Sequence, residues 1–332
     1  MNTVFNETMG LQLFADLQTT TSEGLSAEMQ TFYDMALIDE ASANLVHEQF
    51  GQKRPIPANG GKTIEFHKFT SLPKAVEPLT EGVTPDGKSL NVTTVTATVN
   101  QYGDYITQTD MLELTALDNT ILESAKLLGR QAGITLDTVV RNVLQSGTNV
   151  TYCPKVVDGV ETEITSRADL TENCQLTVDV VMQVVAKLRA QNAPTINGKY
   201  VAIIHPYAAY DLMRDPEWVG AHKYADPQTL FEGEIGEIAG VRFVQTTEAK
   251  IYEGGIFAPL FLGADAYGIT EVTGGGLQTI VKQKGSAGTA DPLDQRSSVG
   301  WKAIRTAELL IPNYIVRVES YSNRFSKSAQ EN

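Results

Sequence analysis

Hydrophobic and polar positions alternate with a period of two in two runs of this chain, and the stretch between those runs has almost nothing to bury. Ile64 and Phe66 alternate with Thr63, Glu65 and His67, while Val95, Ala97 and Val99 alternate with Thr94, Thr96 and Thr98. Such alternation marks half-buried strands. The intervening segment 70–91 is broken by Pro73, Pro78, Gly82, Pro85 and Gly87, so the region from Lys62 to Thr107 reads as a long β-ribbon. A two-stranded ribbon is marginally stable on its own, because no third strand or helix covers its apolar face. Either the chain folds back over it or another copy of the protein does.

Elsewhere the period changes to that of a helix. Leu25, Met29, Phe32, Tyr33, Ala36 and Leu37 recur at three- and four-residue spacing behind Ser26, which is suited to cap a helix, and Pro55 bounds the run. The strongest helix begins at Thr120, which forms a capping-box pattern with Glu123. Ile121, Ala125, Leu128, Ala132, Leu136, Val139 and Val143 make its apolar stripe until Gly147. At 1.5 Å per residue the helix is a rod of roughly 40 Å, long enough to serve as a spine. Gly129 and Gly133 weaken it by up to about 1 kcal/mol each relative to Ala, which predicts that another backbone comes close there.

The remaining elements are short and mixed. Tyr102 to Thr109 leads into a helical turn around Met111 to Leu117, and Val156 to Val160 reads as a hairpin about Asp158-Gly159. A helix from about Thr177 places Val178, Val181, Val185 and Leu188 on one face. Tyr200 to Ile204 and Phe257 to Leu262 are runs suited to buried strands, and a small helix opened by Pro206 runs through Leu212 and is ended by Pro216. The triple glycine Gly274 to Gly276 marks a boundary. Strands at Leu277 to Lys282 and Tyr314 to Val318 follow it, and the chain closes on a polar tail from Ser322. The first two dozen residues read as an arm.

Composition narrows the class. With 332 residues, 42% of them hydrophobic, the chain can bury a real core. No apolar stretch reaches the roughly 20 residues of a membrane span, and the N-terminus has no signal-peptide pattern, so folding in a cytoplasm is expected. Cys153 and Cys174 are then expected as free thiols, with a disulfide between them the lesser alternative. A net charge of -14 has the wrong sign for attraction to nucleic acid. No Lys or Arg precedes Lys53, whereas Lys282, Lys284, Arg296, Lys302, Arg305, Arg317, Arg324 and Lys327 make the last segment comparatively basic. Opposite-charge ends can help identical subunits find register, and a solvated acidic face explains the same residues equally well.

The candidates for chemistry have simpler explanations. Asn59-Gly60-Gly61-Lys62-Thr63 superficially matches a phosphate-binding loop, but Ile56 stands where the first Gly belongs and a strand follows instead of a helix. His205, Asp211, Asp215 and His222 match no zinc spacing. Neither cysteine has a recognisable base, and no Gly-x-Ser-x-Gly elbow occurs. The expectation is therefore no catalytic residue, no cofactor and no metal.

The order of these elements resembles the major capsid proteins of tailed bacteriophages with the Hong Kong 97-type fold, in particular the phage N4-type family. The likeness is carried by Asn44 to Phe66, Pro78 to Asp110, the helix LLGRQAGITLDTVVRNVL and Ile203 to Trp218, and it runs from about Leu25 to Phe325. The resemblance implies an α+β fold with an N-terminal arm and first helix over 1–51, an extended E-loop over 52–107, a peripheral-domain spine helix over 108–149, an axial domain over 150–276, and peripheral strands with a C-terminal tail over 277–332. It implies a structural, non-enzymatic protein that assembles as hexamers and pentamers into an icosahedral shell around double-stranded DNA, held in the virion and made in the bacterial host cytoplasm. Partners implied are further copies of the chain and a portal, with room for scaffolding or decoration proteins, and no membrane. Pro78, Leu79, Glu81, Val83, Pro85 and Lys88, at the far end of the ribbon, are the expected inter-subunit contacts. Some members cross-link an E-loop Lys to a neighbour's Asn; Lys74 and Lys88 lie in the loop, but no partner Asn with an adjacent Glu is identifiable and the reaction is not carried over. The alternative with the same fold is a cellular nanocompartment shell around protein cargo, and an enzyme built on the His205 to His222 group is the reading from another class.

Overall fold

The apolar stripe of Thr120–Gln145 lies against the two large sheets and organises the rest. The computed structural model describes residues 27–332 apart from 43, 58, 70, 71, 73, 77, 79, 80, 83, 85, 86, 116–119, 226–235 and 287–290. Along the spine helix Ala125, Leu128, Ala132, Leu136, Val140 and Leu144 are buried. The expected stripe holds as far as Leu136, but its last members, Val139 and Val143, are half-buried. Steps of four keep the buried face on Val140 and Leu144, which pack between Val201 and Ile203 of one sheet and Ile269 and Ala307 of the other.

The first helix, Ala27–Ser42, runs alongside the spine in the same direction. A Cβ on Gly129 would sit 2.6 Å from the Leu37 carbonyl oxygen, and one on Gly133 2.5 Å from that of Ala41. The two glycines thus mark a close backbone approach, as their positions in the sequence predicted. Ser26, Leu25 and the side chains of Met29, Phe32 and Tyr33 lie outside the described residues.

A five-stranded sheet is centred on Arg296–Leu309. Asn100–Thr109 pairs along one edge of that strand, and Gln278–Lys282 and Tyr267–Glu271 pair in succession along the other. Gln52–Lys53 adds parallel to Tyr267–Glu271. The long central strand was missed in the sequence, although Val299, Trp301, Ala303, Ala307 and Leu309 repeat with a period of two. Its alternation is hidden by Gly300, Ile304 and the interposed charges of Lys302, Arg305 and Glu308.

The second sheet has eight strands in the order Ile251–Tyr252, Ile256–Phe257, Ile315–Tyr321, Leu260–Leu262, Tyr200–Ile204, Val241–Gln245 and Glu237–Ile238, with Val150–Tyr152 parallel to Ile315–Tyr321. Phe257 to Leu262, expected as one strand, keeps a single register on Ile315–Tyr321 but is interrupted at Ala258-Pro259, where proline has no N–H for the ladder. Val178–Ala190, capped by Thr177, and Pro206–Met213, capped by the His205 ring, cover this sheet. Pro216 does more than end the small helix: it opens a further one, Pro216–Ala225.

These pairings cross the boundary expected between residues 276 and 277. Tyr267–Glu271 belongs to the sheet of Arg296–Leu309, while Ile315–Tyr321 lies inside the eight-stranded sheet. The polar tail is also anchored. Phe325 stacks on Tyr207 at 4.2 Å, Ser326 is buried against Gly255, and the Asn332 side chain bonds the backbone at Ala249 and Ile251. Polar side chains here replace missing backbone partners, which a composition reading cannot see.

Candidate assembly surface

The ribbon is built from Thr63–Phe69 and Val92–Thr98, antiparallel with Thr63 opposite Thr98 and Phe69 opposite Val92. Asn59 and Gly61, both at positive φ, turn the chain into its first strand, so the phosphate-loop look-alike is a turn. Its base is not bare. Phe66 and Ala97 are buried together with Leu310, and Ile64, Val95 and Ile311 pack around them. The Phe66 ring lies over Gly268, where a Cβ would be only 2.6 Å from it, and the Arg54 guanidinium stands 5.8 Å from the ring centroid. The chain itself therefore covers the near half.

The far half has no such cover among the described residues. Val92 is 48% exposed, Leu72 56%, Leu90 61% and Val76 78%. Of the expected contact residues, Pro78, Glu81 and Lys88 are exposed, and Leu79, Val83 and Pro85 lie outside the described residues. The ribbon thus passes from core at its base to uncovered apolar side chains toward its tip.

Behind the base, a charged network fixes the segment that leads into it. The Asp137 carboxylate accepts the N–H groups of Val46 and His47 at 2.9 and 2.7 Å and pairs with His47 Nδ1 at 2.7 Å, all within the core. Tyr267 donates its hydroxyl to the His47 carbonyl, and burial holds that phenol well above its ordinary range. Arg305 bonds both Glu48 and Glu271; burial works against its charge, but the two carboxylates outweigh it and raise its pKa. These contacts clamp residues 46–53 between the spine helix and the five-stranded sheet, so the ribbon springs from a rigid root.

A second network joins the spine to the eight-stranded sheet. Glu319, fully buried, accepts two bonds from Arg167 at 2.6 Å each and one from Arg317 at 3.0 Å. Arg317 also donates to the Gln145 and Gly147 carbonyls at the C-terminal end of the spine.

The candidates for chemistry are occupied in structural roles. His205 Nδ1 caps Pro206–Met213 by accepting from Tyr207 N–H at 3.1 Å, and its burial depresses its pKa to about 4. Asp215 accepts the N–H groups of Val178 and Glu217. Burial raises the Asp211 pKa, and the His222 side chain lies outside the described residues. Among the described residues no group of three metal-binding side chains is found. Cys153 and Cys174 are buried free thiols, and burial pushes Cys153 far above the reactive range.

The site is thus a spine helix between two sheets with a rooted ribbon that loses its cover toward its tip among the described residues. The family profile of phage capsid proteins matches residues 29–258. The chain belongs to that family and is a structural capsid shell protein, found in the virion and assembling with its own copies. Its fold is that of solved phage capsids. It resembles the capsid of cyanophage P-SCSP1u at 14% identity and a TM-score of 0.65, over 93% of this chain and 94% of that one. The capsid of Ralstonia phage GP4 matches at 15% identity and a TM-score of 0.61, over 82% and 87%. A virus-like particle from Pyrococcus furiosus matches at 12% identity and a TM-score of 0.51, over 88% and 99%. No curated protein sequence matches the chain.

Proposed function

We propose that this chain is the subunit of hexamers and pentamers that close into an icosahedral head around double-stranded DNA, and that the ribbon is the arm each subunit lays across its neighbour. The observation that carries the reading is the change along the ribbon, from Phe66 at 3% exposure to Val76 at 78%. Isolated apolar side chains are ordinary on a surface, but a series of them in the segment beyond a two-stranded ribbon supports a partner there. Pro78, Leu79, Glu81, Val83, Pro85 and Lys88 are proposed to meet that neighbour. The spine with the five-stranded sheet is the peripheral domain in this reading, and the eight-stranded sheet with its helices is the axial domain. Many modest contacts per subunit then sum to a stable shell. A portal and a scaffold or decoration protein complete the set of partners, and assembly takes place in the host cytoplasm.

Deleting residues 70–91 tests the arm. The expected product is a soluble subunit with an unchanged circular dichroism spectrum and no shells in electron micrographs. Loss of the folded spectrum would assign the far half to the core and overturn the reading. The likeness to the virus-like particle supports a second reading, a shell around protein cargo, and nuclease-resistant DNA inside purified particles decides against it.

A further inference from the structure

The outer face of the five-stranded sheet, away from the spine, is covered at one end and open at the other. Over Gly268 it carries the ribbon base, and over Ile304 it carries the loop at Gly275. From Lys302 to Arg296 it is open among the described residues. Gly300 lies between Tyr105 and Ile280 in adjacent strands, which leaves a groove of about 370 Å³ with Tyr105 70% and Ile280 37% exposed as its walls. The cations on this open face are Lys282, Arg296 and Lys302, and among the described residues none of them is in an ion pair. Asp104 stands at the rim, its carboxyl held by Gln131 and the Tyr105 N–H. In a chain of net charge -14, an unpaired basic face beside apolar walls is unusual.

We propose that this open face is the seat of the chain's own N-terminal segment, residues 1–26. That segment contains Glu7, Asp16 and Glu23, no Lys or Arg, and the apolar Phe5, Leu11, Leu13, Phe14 and Leu17. It complements three cations around a groove wide enough for one large side chain. The chain is also delivered to the right place. The first helix lies beneath Gln278–Lys282 and runs parallel to the spine, with Leu37 at Gly129. The spine begins where Gln108 bonds Thr120 and Ser124, opposite Ser297. The start of the first helix, ten residues before Leu37, therefore lies at the Arg296 end of the sheet. From there 26 residues reach up to roughly 85 Å when extended, ample to round the sheet edge. The seat owes nothing to the ribbon's far half, so it stands or falls apart from the arm reading.

The test places a photoreactive benzophenone side chain at Tyr105 in the full, unassembled chain and maps its cross-links by mass spectrometry. The expected product is an intramolecular link into residues 1–26, with a yield independent of protein concentration. Reversing Lys282→Glu with Lys302→Glu should cut that yield roughly tenfold at low salt, as two attractions become repulsions. Adding Asp16→Lys with Glu23→Lys should restore it, which a misfolded variant would not do. Links to another copy, to residues 70–91 or to added duplex DNA in place of residues 1–26, or a yield indifferent to charge reversal, would each overturn the proposal.

Discussion

The base of the ribbon is a regular strand pair, Thr63–Phe69 with Val92–Thr98, whereas the segment 70–91 is broken by prolines and glycines, and the two differ in what lies beneath them. At the base, Phe66 and Ala97 meet Leu310, Ile311 and the bare backbone of Gly268, so alternation is converted into burial. Further out the same chain places Leu72, Val76 and Leu90 in solvent. The comparison teaches that apolar side chains become core only where a regular strand pair meets a surface beneath it. In the proposed arm, stability and assembly are separable along a single element, the base serving the subunit's own fold and the tip the contact with a neighbour.

The largest expected effect comes from striking each half in turn. Phe66→Ala removes a buried ring and should cost about 3–5 kcal/mol, read as a lowered urea midpoint. Leu90→Ser should change stability by no more than about 0.5 kcal/mol while reducing shell yield in light scattering. Equal stability losses from the two would erase the distinction. Next comes the root of the rigid part. Gly129→Ala gains about 1 kcal/mol of helix propensity but drives a methyl into the Leu37 carbonyl, and overpacking of about 1–3 kcal/mol should win. A raised melting temperature would show that the first helix yields easily.

The smallest effect concerns pH and lies far from the ribbon. His205 has a folded pKa of about 4, below its unfolded value of 6.5, because burial disfavours the imidazolium. The unfolded chain therefore takes up the proton first. The stability contributed is complete above pH 6.5 and is lost as pH falls toward 4, by at most roughly 1.4 kcal/mol per unit. Asp211, raised by burial, works in the opposite sense at the acid end. His205→Asn keeps an acceptor for the Tyr207 N–H and should flatten the stability profile between pH 6.5 and 4. An unchanged slope would place the acid sensitivity elsewhere.

Local signals alone determined several features of this protein. The spine helix, the close approach at Gly129 and Gly133, the ribbon strands and the Asp158-Gly159 hairpin follow from periodicity and backbone chemistry acting over a few residues. The family was legible because several such segments occur in one order. Only the tertiary structure decided the rest. Arg296–Leu309 became the central strand because partners distant in sequence flank both its edges, and its own mixed pattern did not announce them. Ile315–Tyr321 joined the eight-stranded sheet across an expected domain boundary, and Phe325 and Asn332 anchored a tail that composition marked only as polar. Which half of the ribbon is covered was likewise not in the pattern. Alternation sets the direction of side chains two residues at a time, whereas cover depends on surfaces brought together from hundreds of residues away.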